Sequence, residues 1–576
     1  MLHQEHKSLG QRLRFLQIML VTCALVVASR LLVIQGLQRD DILSAVKPPA
    51  NMERPARGHI TDSHGHPLAI DILRWQVEAN PQNFDSQEAR AQAAMCLHEL
   101  LDLPAEDILK QLEQDSSRAV IHPDVPLAVA DVINGRPEEK QATCQWPLTE
   151  QVWATPHRER FYPQEQMAAH LLGFVNAKGQ GYGVEEYYSD FLEGKVSTRL
   201  SQQEPPLAED FSLYLPSQAG HDLILTIDLA IQYIVERALA DAVQRTGAEG
   251  GTIIIIAPHT GAILAMASYP AYNPNKYPQY PKDLWGIFSD PAISKTYEPG
   301  SVFKIITIAA ALDSGAITPE SVFDDPGQLE VGGWTFRNAD RKAHGRVSVT
   351  DILALSLNVG VAQVGEVMGE EAFYKYVMRF GLGHKTGVDL AHEIDGSVRL
   401  PNSPNWSPTD LIANTFGQAI NVTPLQMVTA IAAVANDGLL MQPRVVQSLV
   451  EEGRVKEIEP IPVAQVIRPE TAHMVTEMLV TAVERGAPKA LVDGYRVAGK
   501  TGTAQIPVGN AYHEKWTIAS FAGFAPADAP AFVCLIKLDK PQTSPWGASV
   551  AAPVFREIAP QILWKLGIPP DAARQN

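Results

Sequence analysis

Pro299-Gly300-Ser301-Val302-Phe303-Lys304-Ile305-Ile306 is the stretch on which the reading of this chain turns. A Ser and a Lys three residues apart share one face when the stretch opens a helix. The context predicts such an opening. Pro299-Gly300 stands before Ser301, a residue type favoured at helix entrances; Ile305, Ile306, Ile308, Ala309 and Leu312 follow at helical spacing, and Gly315 offers a stop. Two more short motifs follow in order, Ser356-Leu357-Asn358 and Lys500-Thr501-Gly502. Each pattern also occurs elsewhere, so context has to choose. Ser44-Ala45-Val46-Lys47 runs straight into Pro48-Pro49, and Ser403-Pro404-Asn405 sits among prolines. Lys385-Thr386-Gly387 lies in a glycine-rich stretch with Gly381 and Gly383 and reads as a turn. Ser356, by contrast, falls in a helical apolar pattern of Ile352, Leu353, Leu355, Val359 and Val361, and Lys500 in a β-like run from Tyr495 to Ile506.

These residue types suit acyl transfer. A Ser hydroxyl is a weak nucleophile at its free pKa and needs a base beside it. No Ser–His–Asp arrangement is evident, which leaves Lys304 as the candidate base for Ser301. The amine must be neutral to act, and burial and a neighbouring cation such as Lys500 both push that way. Ser356 is suited to relay a proton toward a leaving amine, and Asn358 to orient Lys304 and a substrate amide. Backbone N–H groups of Ser301 and Thr503 are the expected oxyanion donors, each worth roughly 3–4 kcal/mol. Lys500, Thr501, Gly502 and Thr503 form the expected holding strand for a substrate carboxylate. Which group is the base stays open for this chemistry.

The chain has 576 residues, 45% hydrophobic and 19% charged, which fits several globular units. Its net charge of −18 is spread along the sequence and argues against a nucleic-acid partner. The four cysteines, Cys23, Cys96, Cys144 and Cys534, form no C-x-x-C pair, so no zinc or disulfide framework is expected; Cys96 and Cys144 are the pair that could bridge outside the cytoplasm. Phe15 to Ile34 is the one membrane-length apolar run, enough to span roughly 30 Å. It is longer than a usual signal core, and Leu43-Ser44-Ala45 is a poor cleavage site, so an uncleaved anchor is expected. Lys7, Arg12 and Arg14 before it, against Arg39 and Lys47 after it, place the N-terminus in the cytoplasm and nearly all the chain outside.

The expected organisation is a tail over 1–14, an anchor over 15–37, a non-catalytic module over 38–220 and a catalytic domain over 221–570. His59, His64 and His66 read as a solvated loop rather than a metal cluster. Residues 88–114 carry a helical pattern, and Gln202 to Gln218 reads as a linker. From His221 the pattern is a strand near 223–227, a helix near 229–246 and strands near 252–256 and 262–267. Helices follow near 425–436 and 469–485, then strands near 517–524 and 532–537 and a closing helix near 554–566. The fold class this predicts is α+β, an antiparallel sheet with helices around it.

The ordered S-x-x-K, S-x-N and K-T-G set marks penicillin-reactive serine acyltransferases. Outside it, Arg57-Gly58-x-Ile60-x-Asp62-x-x-Gly65-x-x-Leu68-Ala69, Arg160-Phe161-Tyr162-Pro163, His170, Gly173 and Gly183-Val184-Glu185 resemble motifs of the non-catalytic module of class B penicillin-binding proteins. Leu225-Thr226-Ile227-Asp228 with Gln232, and Gly417-Gln418 with Thr423-Pro424-Leu425-Gln426, are similar to the same family's transpeptidase domain. The resemblance implies a single transmembrane helix, an elongated pedestal or dimerisation-like module, and a transpeptidase domain with a serine β-lactamase-like fold. It implies a peptidoglycan D,D-transpeptidase in which Ser301 takes the acyl group of a stem peptide, with β-lactams acylating the same Ser and no metal or organic cofactor. It also implies partners: a polytopic glycan-polymerising glycosyltransferase and divisome membrane proteins. Tyr272-Asn273-Pro274-Asn275 and Asn358 resemble the division-specific members, whereas elongation-type relatives commonly carry Asp at the place of Asn358. Leu357 and Ala419 depart from the family pattern, standing where Ser and Gly are more usual. With water as acceptor the same motifs would serve a D,D-carboxypeptidase or β-lactamase, which are usually shorter. Complete motifs argue against an inactive scaffold, and one span without a cytoplasmic domain argues against a sensor.

Overall fold

The computed structural model describes residues 55–135, 151–176, 179–195, 218–509 and 511–574. The expected tail, anchor and Gln202–Gln218 linker, together with Ser44, Cys23 and Cys144, lie outside these residues, apart from Gln218. Among the described residues, no helix is long and apolar enough to cross a membrane. The chain divides into two compact units, the smaller holding Leu73–Glu159 and the larger holding Arg57–Ile72, Arg160–Leu192 and His221–Asn576.

The smaller unit packs helices Gln87–Leu101 and Ala105–Leu112 with strand Ala119–Val125 around Val77, Leu97, Ile108, Leu112 and Ile121. The single helical pattern expected over 88–114 is broken in two. Asp102 turns left-handed (φ 54°) and Pro104 opens the second helix. Cys96 is disulfide-bonded, so this cysteine, which the sequence left open to bridge, does so.

In the larger unit, a helix α1 (Leu229–Thr246) starts where Asp228 accepts the N–H groups of Ala230 and Ile231, and ends at Gly247 in the left-handed region. Strands β1 (Gly250–Ile256), β2 (Ile263–Tyr269), β3 (Ala498–Val508), β4 (Ala511–Ala525) and β5 (Phe532–Asp539) form an antiparallel sheet in the order β3-β4-β5-β1-β2. Their continuous apolar runs are explained by cover on both faces. Ile253 and Ile255 enter a core with α1 and the closing helix Ala552–Lys565, while Ile254 and Ile256 enter a second core on the other face. That second core surrounds helix α2 (Lys304–Asp313), whose residues from Lys304 to Leu312 are all buried. An all-round apolar helix is stable only in such a place, where each fully buried Ile or Leu contributes about 1.5–3 kcal/mol.

The family-like motifs outside the catalytic set hold the larger unit together. Ile60 pairs with Leu223 in parallel and with Ala69 antiparallel. Asp62, fully buried, accepts the backbone N–H groups of His64, His66 and Leu229 and lies 3.0 Å from His66 Nδ1, so the His loop is pinned by a carboxylate. Glu185, also fully buried, receives Arg57 Nε and Arg160 Nε at 2.6 Å each, and Arg160 reaches Asp71 at 3.1 Å. Asn275 clasps Tyr162 through both its amide groups (2.9 Å each), and the Tyr272 hydroxyl donates to Ala169 O at 2.8 Å.

Candidate active site

Ser301 lies in a tight turn, Gly300–Phe303, that runs directly into α2. Gly300 takes φ +59° and donates its N–H to Gly417 O at 3.0 Å. A Cβ on Gly417 would fall 2.3 Å from Gly300 O, so this approach requires glycine. The expected helix start is therefore present, with Lys304 as the first residue of α2.

Lys304 is fully buried. Its Nζ lies 2.7 Å from Ser356 O, 2.8 Å from Asn358 Oδ1 and 3.4 Å from Ser356 Oγ. Burial, and next the charge of Lys500, hold its pKa well below the usual lysine value, against a smaller opposing pull from Asp325. A neutral amine has two N–H groups and one lone pair. Here Ser356 O and Asn358 Oδ1 take the two N–H groups, which leaves the lone pair free to accept a hydroxyl proton. No hydrogen bond joins Lys304 to Ser301; the contacts of Lys304 are to the second motif.

Ser356 is not inside a helix, contrary to the sequence reading. Helix α3 (Val349–Ala354) ends before it, helix α4 begins at Asn358 (Asn358–Met368), and Ser356 takes φ +59° between them. The apolar residues do continue at helical spacing, but in two helices. The left-handed residue, a conformation costing about 1–3 kcal/mol, turns Ser356 O, Ser356 Oγ and Asn358 Oδ1 onto one amine. Asn358 is fixed through Nδ2 to Arg337 O at 3.0 Å. Behind it, Asn338 accepts the Val359 N–H at 3.1 Å and donates to both oxygens of buried Asp325 at 2.9 and 2.8 Å.

The third motif lies on β3, the edge strand of the sheet. Thr501 and Thr503, two residues apart and so on one face, line a cleft of ≈ 290 Å³ with Ser301, Ser356 and Asn358. Lys500 is buried behind that wall with Nζ 3.2 Å from Thr501 O, and burial brings its pKa down to about 7. Gly502 also stands behind the wall, where a Cβ would lie 2.3 Å from Ser520 Oγ and 2.8 Å from Val302 Cγ2. Gly502→Ala is therefore expected to push β3 off the nucleophile turn and slow acylation of Ser301 about 10- to 100-fold, the equivalent of overpacking by 1–3 kcal/mol. Timed labelling with a fluorescent penicillin measures this, and a wild-type rate would show that β3 does not need that closeness.

The duplicate motifs stand elsewhere: Thr386 and Gly387 donate to Glu393 in a turn, as the sequence predicts. Sequence reasoning missed Asp325 and Asn338, which reach the site only through contacts between residues distant in sequence. It also missed Trp546, Phe416 and Leu355, which line the cleft. Pro545-Trp546-Gly547 carried one usable signal, a glycine whose Cβ would sit 2.4 Å from Gly502 O.

A family profile described as the penicillin binding protein transpeptidase domain matches residues 251–559, and one described as the penicillin-binding protein dimerisation domain matches residues 52–203. Stage V sporulation protein D of Bacillus subtilis is 32% identical over 586 residues, covering 98% of this chain and 87% of that protein. Peptidoglycan D,D-transpeptidase FtsI of Escherichia coli K12 is 30% identical over 533 residues, covering 90% of this chain and 85% of that protein. Among solved structures, penicillin binding protein 3 of Mycobacterium tuberculosis, in its aztreonam complex, superposes with a TM-score of 0.68 at 27% identity, covering 90% of this chain and 98% of that one.

Proposed function

Because this chain belongs to the class B penicillin-binding proteins and is a serine-type peptidoglycan D,D-transpeptidase, we propose the following roles for its residues and a place for it in septal wall synthesis. Ser301 Oγ attacks the penultimate D-Ala carbonyl of a stem peptide while its proton passes to the Lys304 amine. Backbone N–H groups of Ser301 and Thr503 receive the oxyanion. Ser356, close to Lys304, carries a proton to the departing D-Ala nitrogen, leaving an ester on Ser301. An amine from a second stem then attacks the ester and loses its proton to the same base, so Ser301 is restored and a cross-link remains. Thr501 and Thr503 hold the terminal carboxylate through their hydroxyls, Lys500 adds its charge from behind them, and Gly502 lets the strand lie close to the nucleophile turn. The observation that carries this is the buried Lys304 amine, its pKa held well below the usual lysine value and its contacts made to Ser356 O and Asn358 Oδ1, both on the motif that lines the Ser301 cleft.

Asn358 and Tyr272-Asn273-Pro274-Asn275, which resemble the division-specific members, support a septal role over an elongation role. The partners this reading calls for are a polytopic glycan-polymerising glycosyltransferase and divisome membrane proteins, reached from a single span over 15–37 with the catalytic unit outside the cytoplasm. The disulfide at Cys96 supports that compartment.

Mass spectrometry after penicillin treatment should find one adduct, on the Ser301 peptide, and none on Ser301→Ala protein. An adduct on Ser356 would overturn the assignment. The labelling rate should also fall as pH rises past about 7. There Lys500 loses its proton and with it its pull on the drug carboxylate.

A further inference from the structure

We propose that Glu298 is a positioning residue for acylation, holding the nucleophile turn, the pocket-lining loop at Gln418 and the outer β3–β4 hairpin in register through contacts with one carboxyl group. The inference rests on the acyl-transfer reading of Ser301.

Glu298 stands three residues before Ser301 and is 7% exposed. The segment leading to Ser301 is zipped to residues 417–422 by backbone bonds. Tyr297 and Val422 exchange both theirs, at 2.9 and 3.0 Å, and Gly300 N donates to Gly417 O at 3.0 Å. Between those points the backbone ladder fails, because Ala419 takes φ +57° and turns its N–H away from a strand partner. The Glu298 carboxyl lies near that N–H, which favours its charged form. The gap is thus closed by a side chain, at the loop whose Gln418 lines the cleft with Gly300 and Ser301.

The second contact comes from the hairpin. Pairing of β3 with β4 is regular as far as Gln505 and Thr517, then jumps to Pro507 and Tyr512. Beyond that break the outer hairpin has no ladder tying it to the sheet. The Tyr512 hydroxyl ties it to the nucleophile segment, 3.1 and 3.3 Å from the two Glu298 oxygens, and Lys540 Nζ lies 4.3 Å from the Trp516 ring nearer the sheet. One carboxyl therefore joins three segments, two of which line the cleft.

The hydrogen bonds, not the charge, are what the arrangement needs. An amide of the same shape keeps an oxygen for the Ala419 N–H and offers its NH2 to the Tyr512 oxygen. The charge is a cost. Burial raises the Glu298 pKa from 4.5 to about 6, and Tyr512 is the titratable group facing it among the described residues. A raised carboxyl pKa means that stability present below pH 4.5 is lost as pH rises through about 6. Glu298→Gln should therefore melt higher than wild type at pH 7.5, and the gap should close below pH 4.5.

The test uses full-length protein in detergent and benzylpenicillin, separating the acylation step k2 from the pre-acylation constant K. Glu298→Ala is expected to lower k2 about 10-fold or more with K nearly unchanged, an effect of about 1.4 kcal/mol on the barrier. Glu298→Gln is expected to keep the wild-type k2 while melting higher, and Tyr512→Phe to lower k2 about 3-fold. A folded Glu298→Ala with wild-type k2 would overturn the proposal, as would a Gln variant as slow as the Ala variant. If Glu298→Ala does not fold, Tyr512→Phe decides, and an unchanged k2 there refutes the role. Wild-type protein that penicillin does not label would instead sink the acyl-transfer reading, and this inference with it.

Discussion

Lys304→Arg is expected to abolish acylation of Ser301, with a loss of at least about 10³-fold, the range for removing a general base. The substitution keeps a cation in place, so an electrostatic role would survive it. It removes the one property the geometry depends on, a lone pair at neutral pH, because a guanidinium does not deprotonate in a protein. In the wild type, burial and the charge of Lys500 hold the amine pKa well below the usual lysine value, and its contacts are to Ser356 O and Asn358 Oδ1. Labelling with a fluorescent penicillin beside a thermal melt separates loss of chemistry from loss of fold. Where the arginine does not fit, Lys304→Met, uncharged and of similar length, gives the same readout. Acylation near the wild-type rate in a folded variant would remove Lys304 as base.

The second large effect is expected far from the cleft. Glu185→Ala should destabilise the larger unit by about 3–5 kcal/mol, the cost of leaving buried cations without their anion. Glu185 is fully buried between Arg57 and Arg160, and the Arg160 side chain is itself only 6% exposed. Against a total stability of about 5–15 kcal/mol, such a loss should lower the melting temperature sharply and take penicillin labelling with it. The neighbouring Glu186→Ala is the control. Its partner His392 is 67% exposed, and exposed pairs contribute about 0–1 kcal/mol. If both variants melt within a degree of wild type, the cluster does not hold the unit. The same geometry means that a chain beginning at residue 221 lacks Ile60, Asp62, Tyr162 and Glu185, all of them in the larger unit. Arg160 and Glu185 therefore do not offer a way to perturb the smaller unit alone.

Much of the site was legible because its members lie in short motifs whose local contexts differ from their duplicates. Ser356 and Asn358 meet around the Lys304 amine, and Ser301, Thr501 and Thr503 line the same cleft. The left-handed turn at Ser356 was not legible. The apolar spacing that suggested one helix is equally met by two, and nothing local marks a non-glycine residue for positive φ. Asp325, Asn338 and Glu298 were missed because each acts through a residue distant in sequence. Ala419 shows the complement. It stands where the family more usually has Gly, and its φ of +57° is the conformation Gly would adopt freely. The strands β1, β2, β4 and β5 were readable as apolar runs, since cover on both faces writes itself into composition.

The order of the five-stranded sheet sets a schedule for folding as the chain is made. Strand β5, ending at Asp539, lies between β4 and β1, so nothing can join the wall carrying Lys500 to the strands made some 250 residues earlier until almost the last of the sequence has emerged. Leu73–Glu159, contiguous and with its own core, is free to fold while the ribosome is still at work. Ile60 has to wait for Leu223, and α2, apolar on every side, has to wait for the sheet that covers it. A nascent chain of this kind carries that apolar helix uncovered while about 220 further residues are added. Its demand on chaperones is thus fixed by strand order before any question of catalysis arises.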